Sequence, residues 1–178
     1  NDKNNPTAWY VNEPRFEPVM ENGFIGDVNN GGVVNFRNIK FNPHGNGTHT
    51  ECVGHISSET YNILDCLQEH FILAQVISVF PQEMNGDLVM FKEQFDGKIQ
   101  SGVNALIIRT LPNTLTKKQI NYSSTNPSYV DVEATKYIRD EGIDHLLIDL
   151  PSVDREEDGG KLVSHHAFWE YPENTQKH

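Results

Sequence analysis

The chain has little of several things, and each shortage removes a class of function. It holds two cysteines, Cys52 and Cys66, which is too few for a disulfide framework. The two could pair, but reduced thiols are the expected state. Positive charge is scarce. Only 14 Lys and Arg stand against 25 Asp and Glu, giving a net charge of -11 and a pI near 5.0. That balance lacks the basic footprint of nonspecific nucleic-acid binding and disfavours anionic membrane surfaces. No apolar run approaches the roughly 18 residues of a membrane span. There is no G-x-G-x-x-G and no Gly-Lys-Ser/Thr, so a phosphate-cradling loop is not expected. There is no G-x-S-x-G either, which argues against a serine hydrolase.

What remains is a globular composition. The 178 residues suit one domain, with 37% hydrophobic and 22% charged residues. Residues 1–6 read as a loop entered midway, and the tail is polar, so the expectation is a single domain lacking sequence at both ends. Reduced thiols and the lack of a visible signal peptide fit a cytoplasmic protein, although a cleaved signal peptide leaves no trace.

Hydrophobic patterning predicts α/β architecture. Residues 23–28 read as a short strand closed by Asn29-Asn30-Gly31-Gly32. Residues 33–41 alternate imperfectly and read as a strand. Residues 57–67 suit a short helix with a serine N-cap. Residues 71–80, 103–110 and 145–150 are nearly continuous apolar runs, as in strands buried on both faces. Residues 88–95 are ambiguous, with helix favoured. Residues 128–142 read as a helix ended by Gly142.

Chemistry concentrates in residues 42–55, Asn-Pro-His-Gly-Asn-Gly-Thr-His-Thr-Glu-Cys-Val-Gly-His. Histidine nitrogen and carboxylate oxygen are the usual ligands of a zinc-like catalytic ion. The interleaved glycines allow sharp turns and close approach. In an extended chain, His49, Glu51 and His55 share one face by parity, while Cys52 faces away. His44 has the other parity, but Gly45 and Gly47 could re-aim it. A solvated surface cluster is the bland alternative. The spacing is not that of a structural zinc finger, and a His and carboxylate set without thiolate suggests a catalytic site.

The same residues resemble the signature of the cyclase family, which includes bacterial kynurenine formamidases and isatin hydrolases. That signature runs H-x-G-T-H-x-D-x-P-x-H. Gly47-Thr48-His49 matches its G-T-H, Glu51 replaces the Asp, Val53 replaces the Pro, and His55 matches the final His. The first His is displaced, because Gly45 stands at its position and His44 one residue earlier. Trp9 looks like the early aromatic near the substrate, and residues 142–154 look like the late strand and its loop. Ser164-His165-His166 looks like the arrival of a further metal His, without deciding between His165 and His166. The resemblance implies a swivelling β/β/α fold, with a mixed sheet and flanking helices. It also implies a homodimer or higher oligomer and one or two divalent ions, zinc or manganese. A further acidic ligand expected after the late His has no clear candidate, since Glu170 and Glu173 come too soon.

The expected function is metal-dependent hydrolysis of a carbon–nitrogen bond in an amide or cyclic amide. His49 and Glu51 would hold the ion, with His44 or His165 completing the shell. Because Glu is longer than Asp, one ion is expected rather than two. A straight strand would carry His55 about 13 Å past Glu51, out of the ligand shell, so it is expected to shuttle protons. The alternative is that it caps the following helix. Trp9, Phe168 and Trp169 could wall a planar substrate, with core packing an equal alternative for the last two. A metal- or ligand-binding module without hydrolysis is the competing class, and a ring-opening lyase a third.

Overall fold

The computed structural model describes residues 5–175. Two exposed hairpin-like pairs come first. β1 (Arg15–Pro18) pairs antiparallel with β4 (Arg37–Lys40), and β2 (Met20–Glu21) with β3 (Phe24–Ile25). The irregular His-rich segment follows, then the short α1 (Ile63–Cys66). Strands β5 (Ala74–Val79), β6 (Gln82–Met84), β7 (Asp87–Met90), β8 (Ala105–Thr110) and β9 (Tyr129–Val130) lead to α2 (Val132–Asp140). β10 (His145–Ile148) and α3 (Val163–Trp169) complete the order.

The central sheet has the order β10-β8-β5, all parallel, with Ala105 level with both Ala74 and His145. A second sheet joins β6 antiparallel and β9 parallel to β7. This is the expected α/β class, with mixed pairing and few helices.

β8 is buried because it is central, and Leu106 and Ile108 have no exposed surface. These two join Ile77 and Val79 of β5 and Ala134 and Ile138 of α2 in one core. α2 forms inside the stretch that its pattern predicts but starts later, at Val132, because Tyr129–Val130 is taken up by β7 as strand β9. Asp131 caps it by accepting from the Glu133 amide at 3.0 Å, and Gly142 follows it with φ 84°.

Four expectations are corrected. The run 71–80 is not buried on both faces: the strand is Ala74–Val79, and Phe71, Leu73, Val76 and Phe80 are exposed. Only the face toward α2 is covered, and apolar continuity alone cannot show that. The helix expected over residues 57–67 shrinks to Ile63–Cys66 with Asn62 at its N-cap, while the Ser57 hydroxyl instead accepts from the Glu59 amide within a local turn. Residues 88–95 divide into strand β7 and a 3-10 turn, Lys92–Gln94. The strand expected over residues 33–41 is confined to Arg37–Lys40 and lies exposed. No helix among the described residues is long and apolar enough to cross a membrane.

Candidate metal centre

The His-rich segment is shaped by its asparagines and glycines. Asn42 and Asn46 lock a tight turn: the Asn46 amide donates to the Asn42 carbonyl at 3.0 Å, and the Asn42 amide to Asn46 Oδ1 at 2.7 Å. Asn46 is buried and donates from Nδ2 to the Asn12 carbonyl at 3.0 Å, tying the turn to the chain around Trp9. Gly45 sits under that chain. A Cβ there would lie 2.3 Å from Val11 Cγ2 and 2.7 Å from the Ala8 carbonyl oxygen. A side chain therefore has no room at position 45, and the neighbouring imidazole is that of His44.

Residues 48–52 form irregular chain rather than a strand, yet the side chains converge. His49 Nδ1 lies 3.1 Å from the Gly47 carbonyl. A carbonyl only accepts, so Nδ1 carries a hydrogen, and Nε2 is turned to Glu51 Oε1, 2.9 Å away. His44 Nδ1 reaches the same oxygen at 2.5 Å. A 3-10 turn, Val53–His55, then bends the chain back. Gly54 serves this turn by close approach, since a Cβ would lie 2.3 Å from the Tyr61 carbonyl oxygen. The turn brings His55 Nε2 to 3.8 Å from Glu51 Oε1. The 13 Å of a straight strand is thus folded away, and distance alone no longer separates ligand from shuttle. Helix capping finds no support, because the next helix begins at Ile63.

The last imidazole arrives from α3. His165 is buried, with Nε2 3.7 Å from Glu51 Oε2 and Nδ1 2.5 Å from Asp154 Oδ2. His166 turns away, with Nδ1 on the Tyr171 carbonyl at 3.0 Å. Glu170 is also turned away, toward Arg139 at 3.7 Å. Asp154 was not singled out from sequence. It heads the acidic stretch that includes Glu156, Glu157 and Asp158, and that composition gives no hint that it meets a His.

Glu51 is therefore ringed by His44, His49, His55 and His165. Burial pushes its carboxyl up, but hydrogen bonds and charge from His165, His55 and His49 hold it well below the usual range. Burial lowers His55 below its ordinary value, and the other histidines add to this against the pull of Glu51. Burial opposes the charge on His165 too, but the bonds to Asp154 and Glu51 prevail and push it up to about 9. Two donor sets lie with their atoms within 4.8 Å of one another: His44, His49 and Glu51, and Glu51, His55 and His165. Imidazole and carboxylate in such sets suit a divalent ion such as zinc or manganese.

These residues open on a cavity of about 1120 Å³, lined also by Trp9, Phe168 and Trp169. Trp9 takes a left-handed backbone, φ 61°, beside Tyr10 at φ 56°. Phe168 and Trp169 are both buried and belong to the core as well as the cavity wall. The Trp169 ring lies 5.5 Å from His165, centroid to centroid. On the same wall, Lys117 Nζ donates to Asp149 Oδ2 at 2.8 Å, a pair that the sequence reading also missed.

The model of the family named Cyclase, described as "Putative cyclase", matches residues 3–155. The chain belongs to the cyclase family. No curated protein matches it. The matched segment contains His44, His49, Glu51, His55 and Asp154, but His165 lies beyond it, so the place of His165 in this cyclase site rests on geometry alone.

Proposed function

We propose that this cyclase-family protein is a metal-dependent hydrolase that cleaves a carbon–nitrogen bond in an amide or cyclic amide, in the manner of an arylformamidase. The observation that carries the reading is Glu51 ringed by four imidazoles at the edge of a large cavity. His44, His49 and Glu51 would hold the ion, zinc or manganese, with His165 as a further donor from α3. Such an ion supplies Lewis-acid polarisation of a carbonyl and eases deprotonation of water.

The protein's own residues do the rest. His55, kept below its ordinary pKa, is neutral near pH 7 and is the base that takes a proton from the attacking water. As the carbonyl carbon gains the water oxygen and its bond to nitrogen breaks, the same ring returns that proton to the leaving amine. Trp9, Phe168 and Trp169 form an apolar wall suited to a planar substrate. Assembly as a homodimer or larger oligomer, the family's habit, belongs to the same proposal.

Glu in place of Asp, and the displaced first His, favour a second reading: a module that binds a metal or small ligand without turnover. A panel of aryl formamides, lactams and lactones offered to zinc- or manganese-loaded protein separates the two. Turnover of a carbon–nitrogen substrate supports the hydrolase. Tight ligand binding with no turnover across the panel supports the module.

A further inference from the structure

Asp154 is a carboxylate with almost no water around it. Its side chain is 3% exposed, and that of His165 is 9% exposed. Oδ1 accepts from the Ser164 amide at 2.7 Å. Oδ2 accepts from the His165 amide at 3.1 Å and faces His165 Nδ1 at 2.5 Å. The Ser164 hydroxyl donates to the Val130 carbonyl at 2.9 Å, which pins the start of α3 to β9. The carboxylate thus serves two ends, the first amides of a helix and one imidazole edge.

The tautomer follows from these partners. An ionised carboxylate only accepts, so the ring nitrogen facing it carries hydrogen. Nε2 faces Glu51, and an ion bound there would displace the Nε2 hydrogen and leave the other on Nδ1, against Asp154. We propose that Asp154 is a positioning residue, which holds His165 in the tautomer and orientation that present Nε2 to the metal. The inference rests on the reading of this cluster as a metal centre. A ligating imidazole whose other nitrogen is bound to a carboxylate is both better oriented and more basic than a free one.

Two variants separate this role from helix capping. In Asp154→Asn, the amide oxygen stays on the Ser164 amide and the NH2 group faces His165. Nδ1 must then accept, and the hydrogen moves to Nε2. In Asp154→Ser, the carboxylate on Nδ1 is gone, and the thermal melt reads what the start of α3 loses with it.

The test is zinc titration of metal-stripped full-length protein by calorimetry. Long-range 1H–15N NMR of His165 is recorded on the zinc-loaded form, and thermal melts check folding. Wild type should bind zinc, with Nδ1 protonated and Nε2 bound. Both variants should melt cooperatively and lose roughly 10- to 100-fold in zinc affinity, and Asp154→Asn should carry its hydrogen on Nε2. Wild-type affinity in Asp154→Ser, or an unchanged His165 pattern in Asp154→Asn, would overturn the inference. So would zinc-loaded wild type with hydrogen on Nε2, which needs no variant at all. Wild type that binds no zinc would instead sink the metal-centre reading, and this inference with it.

Discussion

Asp154 and Glu156 stand on one loop with only Arg155 between them, and each carboxylate gathers donors of the same kind. Asp154 accepts from the Ser164 and His165 amides and faces the His165 ring. Glu156 accepts from the Ser124 and Asn126 amides and from the Tyr10 hydroxyl. Burial works to raise both carboxyls, and in both the donors prevail and hold them below the ordinary value. The difference is water. Asp154 is buried, while every bond to Glu156 lies in solvent reach. In a dry setting such bonds are strong, and leaving them unmade is costly; in a wet one they exchange with water at little loss. One loop therefore aims a ring inward to Glu51 and clips the Tyr10 segment outward, with very different energies behind the two acts.

The inward side should show the largest effects. Glu51→Gln keeps the shape but removes the charge on which four imidazoles converge. Zinc affinity should fall by more than the roughly 100-fold ceiling seen for outer-shell changes, measured by calorimetry and metal content. Undiminished zinc binding would place the ion elsewhere and erase the inward role of the loop.

His55→Ala comes next. Turnover should drop by roughly 100-fold or more, with metal content unchanged, because His44, His49 and Glu51 remain. Loss of metal would make His55 a ligand through its set with Glu51 and His165. Unchanged turnover would leave it a structural ring, stacked on His44 at 4.6 Å.

The contrast also marks what a sequence discloses. His44, His49, Glu51 and His55 lie close together along the chain, so their residue types and spacing pointed to a shared ion before any fold was known. Parity grouped His49, Glu51 and His55 through a strand that does not form, and left out His44 and His165. The turn at Asn42 and the bend at Gly54 gather the rings instead, through contacts with the distant Asn12 and with Tyr61 that residue types and spacing do not announce. Asp154 stayed hidden because its meaning lies in α3 folding back onto it. The strand β8 and helix α2 were legible from pattern, while the open face of β5 was not, since coverage depends on neighbours.

The outward side begins with Gly45. Gly45→Ala would drive a methyl group into Val11 and the Ala8 carbonyl. The side chain of Val11 can shift, but the carbonyl is backbone, so a loss of about 1–3 kcal/mol is expected from denaturant unfolding. Zinc affinity should change far less than in Glu51→Gln, because His44 still reaches Glu51 from its own backbone. Equal losses of zinc affinity in the two variants would join the outer wall to the metal centre and end the contrast.

Glu156→Gln should have the smallest effect, and pH sharpens it. The Glu156 carboxyl is held below its ordinary value of 4.5, so its ionised form is favoured by the folded state. Its contribution to stability is fully present above about pH 4.5 and is lost as pH falls through the folded value. Gln keeps one acceptor oxygen and loses the charge. The bonds are wet, so the melting temperature at pH 7 should fall by no more than about 2 °C. The gap between wild type and variant should close as pH is lowered below about 4.5, because the wild-type carboxyl is then neutral too. A gap that persists at low pH would mean that shape rather than charge holds Tyr10 and Ser124 in place. A gap much larger than this at pH 7 would mean that Glu156 is as dry in solution as Asp154, and the loop would then have two inward ends.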